Sequence, residues 1–229
     1  MDGEETLAAG TNVTVAAEEG SVRLWAEMLL VYGGIPGLLI VLRHFLDGLV
    51  IPIIMTVAFT CWLILKRDAS FDRRRLWNAV DFGRHFKRTL TRFLLLGLLA
   101  AYLSYLYLPG AFLAFPIRHL LFWLMVMICY PIFSAYPQEI IYRTFFFFRY
   151  RRLFKSDTAM MVVSALLFGW AHAFLGNWIA PVFASLGGIF FGWTYLRSGS
   201  TLQASLEHGL WGDLLFTLGT GWFFYAGSI

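Results

Sequence analysis

An all-α fold, a polytopic bundle of about seven to eight membrane-spanning helices, is what this sequence predicts. Composition, the segregation of charge and the length of the apolar runs all point to it. Of 229 residues, 59% are apolar or aromatic and 14% are charged, whereas a soluble domain carries about 25% charged residues. The mean hydropathy is +0.67, and the chain holds 23 Phe, 10 Tyr and 9 Trp. Too little polar surface exists to cover a water-facing globule. A secreted disulfide scaffold, a disordered regulator and a DNA-binding domain are thereby excluded. The pI near 9.2 reflects bases placed for a membrane surface, not for nucleic acid.

Asp2, Glu4, Glu5, Glu18 and Glu19 are the charges of the first 20 residues, and without them the net charge rises from +4 to +9. Residues 1–20 thus read as an acidic cytoplasmic tail and 21–229 as a single integral-membrane domain. A spanning helix needs about 20 mostly apolar residues. The runs that qualify are 24–45, 49–65, 93–108, 112–136, 158–176, 178–197 and 201–225. An eight-helix count, with the C-terminus on the inner side, is the alternative. Nine bases fall between Lys66 and Arg92, interleaved with Trp77, Val80, Phe82 and Phe86. Phe71 to Arg92 reads as a helix lying on the membrane, and the 66–92 segment as a contact for anionic headgroups.

With that segment inside, Arg149, Arg151, Arg152, Lys155 and Arg197 also fall inside, as the positive-inside rule requires. The N-terminus is then cytoplasmic, so the Asn12-Val13-Thr14 sequon faces no lumen. Gln138 to Phe148 is too short to cross alone and reads as a continuation or re-entrant part of the fourth helix, broken near Pro131 and Pro137. Cys61 and Cys129 lie inside apolar runs and read as small buried hydrophobes. Trp222 to Tyr225 reads as an interfacial aromatic belt.

Ionisable groups inside lipid are costly and mark function or a structural pair. Glu139 and Arg143 stand four residues apart, acid first, which suits an ion pair on one helical face. Such a pair either neutralises itself in lipid or keeps a carboxylate ionised as a general base. Gln138 lies about 100° around the helix from Glu139 and could donate to it or to a substrate. Phe168 and His172 share a face, with Gly169 and Ala171 permitting a close neighbour. Glu207, His208 and Asp213 place two acids and an imidazole within seven residues. Glu207 could satisfy backbone groups or Ser200 near its helix start. The proposed boundaries put His208 about 10 Å deep and His172 about 21 Å deep.

Taken in order, Gln138-Glu139-x-x-x-Arg143, Phe168-x-x-x-His172 and His208 resemble the CAAX-prenyl-protease and bacteriocin-processing (CPBP, Abi) family of intramembrane proteases. The resemblance covers about residues 116–225. It implies a multi-pass protein of a prokaryotic cytoplasmic membrane that cleaves a membrane-tethered or prenylated protein or peptide. It also implies a glutamate that activates water and histidines that stabilise the oxyanion. On that pattern Glu139, Arg143, His172 and His208 would be catalytic, with Gln138, Phe168, Asp213 and Glu207 supporting. No cofactor is expected, because the sequence lacks His-Glu-x-x-His; a Glu/His/His zinc set is the lesser alternative. Two positions depart from the family pattern. Gln138 stands where the first glutamate of a doublet is usual, and Gly212 where an asparagine is usual, with Asp213 one residue on.

Three functions compete on these features. The first is a glutamate-type intramembrane endopeptidase. The second is a catalytically impaired relative that binds a peptide tail or lipid, which the two departures favour. The third, a proton-coupled transporter, would need an internal repeat that the sequence does not display.

Overall fold

The structure, a computed structural model, describes residues 20–46 and 48–224. The acidic tail apart from Gly20, the Asn12 sequon and Tyr225 of the aromatic end lie outside them. Every regular element among the described residues is helical. Six helices are long and apolar enough to cross a bilayer: α1 (Gly20–Val41), α2 (Val50–Arg67), α3 (Phe82–Tyr107), α4 (Leu120–Arg149), α5 (Asp157–Leu175) and α6 (Ile179–Ser198). A seventh, α7 (Thr201–Thr217), has 17 residues. At 1.5 Å per residue it is about 26 Å long, a few Å short of the hydrocarbon core. The chain is an integral, multi-pass membrane protein, and each of the seven expected segments corresponds to one of these helices.

Lipid-facing and protein-facing surfaces are inverted relative to a soluble domain. Leu94, Leu95, Leu98 and Leu99 of α3 are exposed, while Glu139, Arg143, Thr144, Ser164, Thr201 and Glu207 are fully buried. Leucine gains nothing by leaving lipid, so the helices meet instead through small residues and polar contacts. Gly169 faces Pro181 and Ser185, Gly188 faces Ala165, and Gly192 faces Met161, which lets α5 and α6 lie backbone to backbone. The α6–α7 turn is short because Gly199 takes a left-handed conformation at φ +59.

Helix α4 stays helical through both of its prolines, where a break was expected. Pro131 opens a wide π-helical turn, Pro131–Ala135, and a second follows at Ile140–Phe145. Proline offers no N–H, and widening the turn keeps the remaining backbone groups bonded where water is absent. Residues 138–148 are thus a continuation of the helix, as one of the two readings held.

The stretch expected to lie on the membrane as one helix over 71–92 divides at Phe82, where α3 begins. Before that point the chain folds back along α4, with Phe71 against Phe148 and Trp77 stacked on Tyr136 at 4.8 Å. Its irregular backbone is satisfied by protein. The Arg75 carbonyl accepts from Thr201, the Asn78 carbonyl accepts from Gln203, and Asn78 Nδ2 donates to the Ser198 carbonyl. Such backbone is tolerated at depth only when protein covers it.

These contacts gather the bases of 66–88, of 149–155 and at 197 at one end of the bundle, while Arg92 lies deeper, against Glu207. At that same end Glu27 of α1 pairs with Arg149 at 2.7 Å. The depth mismatch between the two histidines also resolves there. Thr201, the first residue of α7, meets Thr144, whose hydroxyl is 2.5 Å away. Thr144 lies five residues, or about 7 Å, inside the end of α4. Because α7 starts that far in, His208 sits about 18 Å deep, close to the level of His172.

Candidate active site

Glu139 follows the first wide turn of α4, and the second turn, beginning at the next residue, carries Arg143. Both side chains are fully buried. Arg143 Nε lies 3.3 Å from Glu139 Oε2, yet neither atom has hydrogen-bonding geometry, so their attraction is Coulombic. Arg143 Nη1 donates to Ser164 Oγ at 2.7 Å and to the Tyr142 carbonyl at 3.2 Å. The guanidinium carbon stands 5.3 Å from the Phe168 ring centre. The charge is therefore held between α4 and α5 rather than opened to lipid.

Helix α7 delivers His208 to the other carboxylate oxygen, with Nδ1 3.0 Å from Glu139 Oε1. Phe191 of α6 stacks flat on the imidazole, with ring centres 4.4 Å apart and planes 11° apart. Phe168 meets the same ring edge-on at 5.5 Å and also meets His172 at 4.5 Å. One phenyl ring thus touches both histidines. His172 Nδ1 is 2.8 Å from the Phe168 carbonyl.

These partners decide the tautomers. A carbonyl only accepts, so Nδ1 carries the proton in His172, and His208 Nδ1 carries it when it donates to the carboxylate. In its neutral form each imidazole then has a bare Nε2, an acceptor with no N–H to give.

The supporting residues separate into different surroundings. Gln138 Nε2 donates to Ser134 Oγ at 2.8 Å, one turn back on its own helix. Glu207 meets neither backbone nor Ser200. It pairs with Arg92 of α3, whose Nε is 3.0 Å from Oε1, and accepts from Thr194 of α6. Among the described residues Asp213 makes no side-chain hydrogen bond, and its Oδ1 is buried without a partner. Gly212 has no room for a side chain, because a Cβ there would fall 2.1 Å from the Tyr130 ring.

Ser164, Phe191, Arg92 and Tyr130 were not singled out by sequence reasoning. Arg92 carried a usable signal, being the base nearest the apolar core of α3. The others are ordinary residues of apolar helices, and only the fold brings them to the site. Among the described residues no three His, Cys, Asp or Glu side chains converge as a metal-binding group.

Comparison with known families agrees with the motif reading. Residues 116–212 match the family described as Type II CAAX prenyl endopeptidase Rce1-like. That segment is a little under half of the chain and includes Gln138, Glu139, Arg143, Phe168, His172 and His208. No curated protein and no solved structure matches the chain.

Proposed function

We propose that this membrane protein, whose residues 116–212 match a prenyl endopeptidase family, hydrolyses a peptide bond in a membrane-tethered or prenylated substrate. The contact that carries the reading is His208 Nδ1 to Glu139 Oε1 at 3.0 Å. Arg143 stands 3.3 Å from the carboxylate and offsets its charge, and the carboxylate orients the imidazole so that Nε2 is free to accept. That nitrogen takes a proton from water as the water oxygen adds to the scissile carbonyl. Glu139 offsets the imidazolium charge, and the proton then passes to the leaving amine as the C–N bond breaks. The products are a carboxylic acid and an amine.

In this arrangement the base is the Glu139–His208 pair, with the proton carried by the ring. Gln138 need not accept a proton, which removes the objection raised by the missing glutamate. Phe191 and Phe168 fix the ring plane and keep bulk water away.

The test uses purified protein in proteoliposomes and a farnesylated peptide ending in Cys-aliphatic-aliphatic-X. Glu139→Gln and His208→Gln should each lower the cleavage rate by about 10²–10⁴-fold. The double variant should be no slower than the worse single variant, because the two act as a unit. Glu139→Gln leaves the buried Arg143 charge unpaired and should cost about 3–5 kcal/mol in detergent unfolding, so rates are compared below the unfolding transition of the least stable variant. Near-normal cleavage by either single variant refutes the pair as the base. A wild type that binds the peptide but never cuts it would instead support the peptide-holding reading.

A further inference from the structure

We infer that Tyr130 is a catalytic residue of this site, its phenolic hydroxyl donating to the oxyanion formed when water adds to the substrate carbonyl. The inference rests on the endopeptidase reading above. Acyl transfer places negative charge on the carbonyl oxygen, and a donor aimed at that atom is usually a large part of the catalysis.

The donors of the site can be taken one by one. His208 and His172 have committed their only N–H groups to Glu139 and to the Phe168 carbonyl. Arg143 uses Nη1 on Ser164 and Tyr142, and its Nη2 points to Gly188 of α6, 3.3 Å from where a Cβ would stand. Gln138 is turned to Ser134. The Tyr130 hydroxyl has no hydrogen-bond partner among the described residues, and a phenol in an apolar setting ordinarily finds one.

Its position is that of a side chain of α7. Gly212 lies one turn after His208 on the same face of that helix. The Tyr130 hydroxyl stands 2.6 Å from where a Cβ at 212 would be, and its ring carbons stand closer still. The Tyr130 ring meets the His208 ring edge-on at 6.1 Å and is braced by Phe216 at 5.5 Å. Gly212 is therefore not an empty slot in the site. Its lack of a side chain is what admits a hydroxyl from α4 to the His208 face.

Tyr130→Phe keeps the ring and removes only the hydroxyl. In proteoliposomes with the farnesylated peptide it should lower kcat by about 100-fold or more while leaving KM near the wild-type value. Should ring packing complicate the single variant, Tyr130→Ala/Gly212→Asn replaces the phenol with an amide donor on α7. It should recover at least about tenfold over Tyr130→Ala alone, since one well-placed donor carries that much. Retention of kcat by Tyr130→Phe, with Glu139→Gln inactive, overturns the role of Tyr130 and leaves the endopeptidase reading standing. Cleavage that survives Glu139→Gln, or a wild type that never cuts the peptide, overturns both.

Discussion

Arg92 and Glu207, 115 residues apart in sequence, join α3 to α7 through a guanidinium–carboxylate contact in which the carboxylate is wholly buried. Thr194 of α6 donates to the second carboxylate oxygen, so three helices meet on the acid next to His208. The contact sets where α7 lies against the bundle, and through α7 the position of the site imidazole.

Removing one partner of a buried pair leaves the other charged and unsolvated, at a cost of about 3–5 kcal/mol. Arg92 keeps 24% of its side chain exposed, which puts Arg92→Ala near the low end of that range. Detergent unfolding should show Arg92→Ala destabilised by about 3 kcal/mol and Arg92→Met/Glu207→Met much less so. A double variant as unstable as the single would argue that packing, not charge, is lost.

Glu27 and Arg149 form the opposite case. Their side chains are 29% and 41% exposed, so water already solvates both ends. Glu27→Ala should cost no more than about 1 kcal/mol in the same unfolding measurement, even though the pair is bidentate. A loss as large as that of Arg92→Ala would mean that α1 depends on this contact for docking.

Gly169 faces α6 with no spare volume, since a Cβ there would fall 1.9 Å from Ser185 Oγ and 2.6 Å from the Pro181 carbonyl. Gly169→Ala is expected to cost about 1–3 kcal/mol through overpacking, and Gly169→Leu to prevent the α5–α6 packing altogether. Gly83→Ala, where nothing lies within 4 Å, is the control and should be neutral or slightly stabilising. Expression level and monodispersity in detergent would separate the three.

Gln138 spends its amide on Ser134 and touches neither histidine through a hydrogen bond. Gln138→Ala should therefore retain cleavage of the same order as the wild type in the peptide assay. A collapse to the level of Glu139→Gln would place Gln138 on the reacting atoms instead.

Much of the site was legible because its parts are local. Glu139 and Arg143 form their ion pair at the i, i+4 spacing, and Phe168 and His172 share a helical face, both readable from 3.6 residues per turn. The edge-on contact of Phe168 with His208, the stacking of Phe191 and the phenol beside Gly212 join residues from different helices. Apolar residues of a spanning helix look alike whether they face lipid or a neighbour, so no periodicity separates Phe191 or Tyr130 from the rest.

The sequence by itself determined the solvent of this protein, the segments that cross it, the side that carries the bases and the region in which to seek chemistry. Those follow from composition and run length, which need no partner. The tertiary structure alone decided that α7 starts a turn and a half inside the end of α4, so that His208 reaches Glu139. It also decided that Glu207 belongs to Arg92, that His208 Nδ1 meets Glu139, and that Tyr130 occupies the space beside Gly212. Each is a contact between side chains of different helices, selected by the way those helices pack, and helical spacing within one segment does not encode it.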